Sequence, residues 1–490
     1  MITRYLRRFS AAVATGLIVV VAAPAIGAGE AKAAAPAKAA SHPKAANPAQ
    51  AANDARLRGI FATAISMPTS IGLGNVPKLA AYLADQFRAG GFPEADIHIL
   101  PLGETASLVV RYRGDGSGGK PIAFMGHLDV VTAKREDWQR DPYTLVEENG
   151  YFFGRGTIDI KQEVAELTAT FLRLKAEGFK PTRDLIIVFT GDEETAEATT
   201  ADLIENHRDL IDAEYALNGD GGDGVLDEQT GAAKAFYVQG AEKTYVDFEL
   251  TVRNPGGHSS RPRPDNAIYD LADAIKKLQA FRFPVMWNDW TIENFKAAAT
   301  YTPGPLGEAM QHFAANPHDE KAADLLFQDA AYVGKTRTTC IPTMLEGGHA
   351  RNALPQMAQV NLSCRVFPGH PIEAVRATLQ EVVGDKVVVK QGNTGVVSAA
   401  SPLDPKLMAA VTKAVHSVHP GIPIVPEQAS YATDGAVFRH GGLATYGVQA
   451  SFGKESENFA HGLNERIPVA SLYEGAAQWY ALIRELAGRR

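Results

Sequence analysis

Two apolar runs of strand length, PIAFMGHLDV and DLIIVFTGDEE, flank a stretch in which Val164, Leu167, Phe171 and Leu174 recur at helical spacing until Gly178 stops the pattern. Strand, helix, strand at these lengths is a crossover unit, and crossovers build parallel sheets covered by helices. The alternation continues from about residue 54 to 240, which predicts an α/β domain with a mainly parallel sheet. Ligands of such sheets bind beyond the carboxyl ends of the strands. The ends of these two runs carry His127, Glu193 and Glu194, and a later one carries Asp220 in NGDGG.

The middle of the chain changes character. Residues 242–253 (EKTYVDFELTVR) alternate like a strand. A helical face follows (Ile268, Leu271, Ile275, Leu278), then two strands around the loop GGHARNALP, a helix over PIEAVRATLQEVV and the strand KVVVK. The order βαββαβ predicts an inserted α+β domain with helices on one side of an antiparallel sheet. About fifty residues (284–337) interrupt it; they read as helical and partly polar, and no role is assigned to them. From about 395 the α/β character returns. The expected organisation is a catalytic domain split into 54–241 and 393–490, with 242–392 inserted. A chain of 490 residues exceeds one compact core, in agreement with two domains.

The N-terminus reads as targeting rather than fold. Arg4, Arg7 and Arg8 precede a charge-free stretch from Phe9 to Ala28, with small residues after it. This is the pattern of a secretory signal, taken as residues 1–33. The run approaches the length of a membrane anchor, but its many Ala and Gly residues and Pro24 favour cleavage over stable membrane insertion. Residues 34–53, rich in Ala, Pro and Lys, read as a disordered tether. The expectation is an exported protein, periplasmic or secreted. Export permits a disulfide between Cys340 and Cys364, which fall on facing strands of the predicted hairpin; two buried free thiols carry equal weight. The formal charge of −8 and the lack of a large basic block after residue 10 exclude nucleic acid as a partner.

Five metal-ligand types occur in order: His127 in GHLDVV, Asp159 in GRGTIDIK, Glu194 in GDEE, Asp220 in NGDGG and His461 in NFAHGLNE. Each alone has a bland reading, as a satisfied histidine, a helix cap or a turn residue. Their company decides against it. Imidazoles with carboxylates suit zinc and similar divalent ions. Asp159 is placed to bridge two ions roughly 3.5–4 Å apart. Glu193, beside a ligand but spare, is the proton acceptor that such a site needs. Asp129, two residues after His127, shares its side of an extended chain and can take the other imidazole N–H. No soft-ligand cluster supports a redox role.

Taken in order, GHLDVV, GRGTIDIK, DEE, GGHSSRP, ARNALP, RVFPG, ATDGAVFR and AHGLNERIP closely resemble the dinuclear zinc exopeptidase and amidohydrolase family, which includes carboxypeptidases G and S, aminoacylase, acetylornithine deacetylase and succinyl-diaminopimelate desuccinylase. The resemblance runs from about residue 54 to 485. It implies two Zn2+, with Co2+ or Mn2+ as substitutes. His127 and Asp220 would hold one ion, Glu194 and His461 the other, with Asp159 between them and Glu193 as general base. It implies that His258 steadies the oxyanion, from the partner in dimeric members, and that Asn352 and Arg365 hold the substrate's carboxylate. The inserted domain would be a lid and dimerisation domain. Thr132 stands where the family has proline and Gln162 where it has glycine; neither replaces a ligand. Asp220 is often glutamate in the family, so Asp223 is the fallback.

The expected activity is hydrolysis of an amide bond next to a free carboxylate, of carboxypeptidase or dipeptidase type. The alternative is an N-acyl-amino-acid deacylase with the same machinery. A non-catalytic binding protein on this fold would lack ligands or the base, and all are present.

Overall fold

The computed structural model describes residues 48–489. The signal-peptide reading and most of the tether lie outside them. Residues 48–53, read above as the end of the tether, are helical: the helix Pro48–Ser66 buries Leu57, Ile60, Phe61, Ala64 and Ile65. The alanines that suggested low complexity are also the best helix formers, and an apolar face downstream recruits them.

Three adjacent parallel strands form the centre of the large sheet: Leu185–Thr190, Ile122–His127 and Tyr215–Asn218. The antiparallel strands Thr105–Tyr112 and Ile97–Leu102 extend it on one side. Thr445–Gly447 continues it on the other, followed by Ala233–Glu242, against which Ile424–Ala429 runs parallel. Successive residues of the central strands supply two different cores. Ile122, Phe124, Ile187 and Phe189 face one in which the helices Pro48–Ser66, Lys161–Ala176 and Val469–Ala487 pack. Ala123, Met125, Ile186 and Val188 face Leu203, Ile211 and Phe438. A strand that is apolar on both faces is what a doubly covered parallel sheet requires.

The inserted domain has a four-stranded antiparallel sheet in the order Thr339–Gly347, Met357–Val366, Thr244–Arg253, Val388–Gln391. Strand Met357–Val366 alternates half-buried and buried along its length. Its buried side packs with the helices Ala267–Ala280 and Ile372–Val383 in a separate core. Cys340 and Cys364 are directly opposite in register and form a disulfide, with Cα atoms 4.1 Å apart.

The insertion at 284–337 forms the helices Asp289–Ala298, Pro305–Ala315 and Glu320–Gln328 around Phe295, Met310, Phe313 and Leu326. It is seated on the catalytic sheet. Trp290 Nε1 donates to Ser401 O at 2.7 Å, and Asn294 Nδ2 to Pro426 O at 2.8 Å. The Trp290 ring lies over Gly240, where a Cβ would come within 1.8 Å of it, so only glycine permits this docking. Among the described residues no helix is long and apolar enough to cross a membrane.

Candidate metal centre and active site

The three central strands end side by side, and the loops after them deliver His127, the Glu193–Glu194 pair and Asp220 to one edge. The remaining two residues arrive from loops that are themselves joined. Strand Arg466–Pro468 pairs with Tyr151–Phe153, which brings the His461 loop against the Asp159 loop.

Asp159 lies between the two imidazoles. Its Oδ1 is 3.0 Å from His127 Nε2 and its Oδ2 is 3.0 Å from His461 Nε2. Glu194 Oε2 is 2.9 Å from His461 Nε2. Asp220 Oδ2 is 4.0 Å from His127 Nε2, so Asp220 rather than the fallback Asp223 faces that imidazole. Ligand atoms of His127, Asp159 and Glu194 lie within 4.8 Å of one another, and so do those of His127, Glu193 and Asp220. The two sets share His127, and Asp159 belongs to the one that His461 completes, an arrangement that suits a pair of divalent ions in an oxygen and nitrogen environment.

The electrostatics fit the same purpose. Four carboxylates converge here with two imidazoles. Burial and the charge on His127's neighbours act in opposite senses: burial disfavours the imidazolium, while Asp129 and Asp159 more than offset it and hold His127 well above its usual range. Bonds to Asp159 and Glu194 raise His461 to about 10. Burial pushes Asp220 up to about 8, and burial with the Asp220 charge pushes Glu193 well above the carboxylate range. Asp159 is held below its usual value by both histidines despite its burial. Such a concentration of negative charge is built to share cations.

Asp129 does more than the sequence suggested. His127 Nδ1 is 3.5 Å from Asp129 Oδ1 and closer, 3.1 Å, to the Asp129 main-chain oxygen. The carboxylate of Asp129 also accepts from the main-chain N–H of Glu193 (3.2 Å) and of Glu194 (3.0 Å). Asp129 therefore orients the ring chiefly through its main-chain oxygen and the paired glutamates through its carboxylate.

A second brace was missed in the sequence. Glu465, fully buried, takes Arg155 Nη1 at 2.6 Å and accepts from the N–H of Gly156 (3.1 Å), Ile158 (2.8 Å) and Asp159 (3.3 Å). Arg155 Nη2 in turn donates to His461 O at 3.3 Å. His461 has φ of +61°, a strained value for a non-glycine residue that this contact helps to hold. GRGTID and AHGLNERIP carry opposite charges at these positions, but nothing in their spacing pairs them. Asp434, in ATDGAVFR, is buried behind the cluster, where Thr190 and Thr200 donate to it.

The other three candidates lie elsewhere. His258 and Asn352 are close together in the inserted domain: His258 pairs with Ala353, and Ser259 N donates to Asn352 O at 3.0 Å. Arg365 is near the opposite end of strand Met357–Val366, stacked over Tyr245 at 4.7 Å. A strand rises ~3.3 Å per residue, so Met357 and Arg365 are about 25 Å apart. None of these three lines the cleft around the cluster.

Peptidase family M20/M25/M40 matches residues 123–485. The chain belongs to that family. It is a hydrolase of peptide and related C–N bonds. Among curated relatives it is 28% identical over 368 residues to N-fatty-acyl-amino acid synthase/hydrolase PM20D1 of Xenopus tropicalis, covering 74% of this chain and 71% of that protein. It is 26% identical over 415 residues to Probable carboxypeptidase S-like 2 of Dictyostelium discoideum, covering 77% and 74%. In fold it resembles the M20 family metallo-carboxypeptidase Sso-CP2 from Sulfolobus solfataricus, with a TM-score of 0.65 at 16% identity over 88% of this chain and 99% of that one.

Proposed function

We propose that this protein is an exported zinc-dependent peptidase that cleaves the amide bond next to a free carboxylate, in the manner of a carboxypeptidase or dipeptidase. The observation that carries the reading is the position of Asp159, with one oxygen 3.0 Å from each of two imidazoles brought in by different parts of the chain. His127 and Asp220 would hold one zinc ion, Glu194 and His461 the other, and Asp159 both. Cobalt or manganese could substitute. Two such ions held there would supply an acidified water and polarise the scissile carbonyl.

Glu193 takes the water's proton and later delivers it to the departing nitrogen. Asp129 keeps Glu193 in place through its main-chain N–H. Arg365 would fix the substrate's carboxylate through its planar fork. One inserted domain cannot present Arg365, His258 and Asn352 to a single substrate, because His258 and Asn352 sit beyond the Met357 end of the strand that carries Arg365 near its other end. None of the three lines the cleft of its own chain, and we assign His258 and Asn352 to the cleft of a second subunit. The edge strand Thr339–Gly347 supports such a pairing: Ile341, Met344 and Leu345 are 58%, 73% and 70% exposed along an edge that no strand pairs among the described residues. The disulfide supports export, since such bonds persist in oxidising compartments.

The relatives that act on fatty-acyl amino acids favour a second reading, an N-acyl-amino-acid deacylase using the same residues. A screen of dipeptides against N-acyl amino acids, with zinc added and with a chelator, tests both. We expect faster cleavage of dipeptides, abolished by the chelator. Faster cleavage of acyl amino acids would select the deacylase, and turnover of neither by the zinc-loaded protein would refute amide hydrolysis at this site.

A further inference from the structure

The cleft continues well past the ligand cluster, to a volume of about 560 Å3. Beyond Asp220 its walls are made by Asp223, Tyr237, Glu427 and Tyr431 of the catalytic unit, and by Tyr301 and Tyr332 from the insertion at 284–337. The insertion therefore forms one side of the cleft. The tyrosines are tied to this wall: the Tyr237 and Tyr301 hydroxyls are 3.3 Å apart, and Gly222 N donates to the Tyr431 hydroxyl at 3.4 Å.

The charges are unbalanced. Glu427 has Lys335 Nζ at 3.0 Å. Asp223 has no ion-pair partner among the described residues, and the charged groups that act on it, Glu427 and Glu455, are both carboxylates. A desolvated carboxylate without a partner is costly, and aromatic faces beside it attract cations. A substrate's carboxylate would be repelled here, and a plain acyl chain would leave the half-buried Asp223 without a counter-charge. Because this wall is itself acidic, the substrate's carboxylate belongs at the other end, and the acyl half is the part that reaches here.

We propose that this end of the cleft binds a protonated amine on the acyl half of the substrate, with Asp223 as its ion-pair partner and the tyrosines as its wall. The inference rests on the peptidase reading and narrows it to substrates with an amine. In support, burial and the neighbouring carboxylates push Asp223 up to about 7, so a cation beside it completes its ionisation.

Three substrates of one chain length test this with the zinc-loaded full-length protein: hexanoyl-leucine, norleucyl-leucine and lysyl-leucine, which carry no, one and two amines on the acyl half. We expect kcat/KM for both amine-bearing substrates to exceed that of hexanoyl-leucine by about 10- to 100-fold, the range of a charge-assisted contact. Asp223→Asn should shrink this ratio about tenfold and Asp223→Glu should retain most of it, whereas a general loss of structure would lower all three rates together. Equal or faster cleavage of hexanoyl-leucine by the wild type would overturn the proposal without touching amide hydrolysis, and so would an unchanged ratio in Asp223→Asn. Cleavage of none of the three would sink the peptidase reading and the proposal with it.

Discussion

Glu193 and Glu194 are neighbours in sequence and differ in what they face. Glu194 lies 2.9 Å from His461, while the Glu193 carboxylate shares its surroundings with His127 and Asp220. Removing Glu193 should therefore leave the five assigned ligands in place and remove the group that moves the proton. We expect Glu193→Ala to retain two equivalents of zinc by elemental analysis while kcat falls about 10²- to 10⁴-fold, the contribution of a positioned general base. Near-normal turnover with both ions bound would assign the proton transfer to another group. The ligand candidates were legible because they come at strand ends in recognisable strings. Glu465 and Arg155 were not, since a buried carboxylate that accepts main-chain N–H groups has no spacing rule and reveals itself only where two distant loops meet.

The helix Lys161–Ala176 marks the same boundary at the scale of an element. Its apolar stripe was readable from Val164, Leu167, Phe171 and Leu174, yet Lys161, Glu163 and Glu166 on the other sides are fully buried as well. What covers the two glutamates is the helix Val469–Ala487, some three hundred residues later, from which Trp479 Nε1 donates to Glu163 at 2.6 Å, while Lys161 Nζ donates to Ala64 O and Met67 O about a hundred residues earlier. No local pattern can report a cover so remote. The insertion at 284–337 is similar: its helical character was legible, and its seat on the catalytic sheet was not, because Trp290 meets Gly240 across the fold. Burial of the two glutamates has a measurable consequence. Burial raises Glu163 to about 8, and burial with the Glu163 charge raises Glu166 well above 4.5. The unfolded chain ionises both near 4.5, so the folded state holds protons that the unfolded state has released. The stability gained from this is complete below pH 4.5 and is lost as the pH rises towards 8. Glu166→Gln removes one such acid at constant shape. Its melting temperature should exceed that of the wild type at pH 8, by about 2–4 °C for each kcal/mol recovered, with the gap closing near pH 4.5. A gap of the same size at both pH values would mean that ionisation of Glu166 is not the cause.

For the whole molecule, the distance between the two ends of the inserted domain decides how many chains make one site. Met357, at the strand end next to the loop that carries Asn352 and pairs with His258, stands about 25 Å from Arg365, and His258 is exposed, its Nδ1 within 2.8 Å of Ser260 Oγ and clear of the cleft. A two-fold contact through the edge strand Thr339–Gly347 would join two such sheets into one, with Ile268 against Gly347 continuing the apolar surface onto the neighbouring helix. If His258 serves the other subunit, His258→Ala and Glu193→Ala should each be inactive alone and complement each other. A mixed dimer has one cleft that combines an intact Glu193 with an intact His258, and random exchange of equal amounts makes half of all dimers mixed, so about a quarter of wild-type activity should return on mixing. Sedimentation of the wild type should give a dimer at the concentrations assayed. A fully active monomer, or exchange-competent dimers that recover nothing when mixed, would place each active site within a single chain and leave His258 without a role in it.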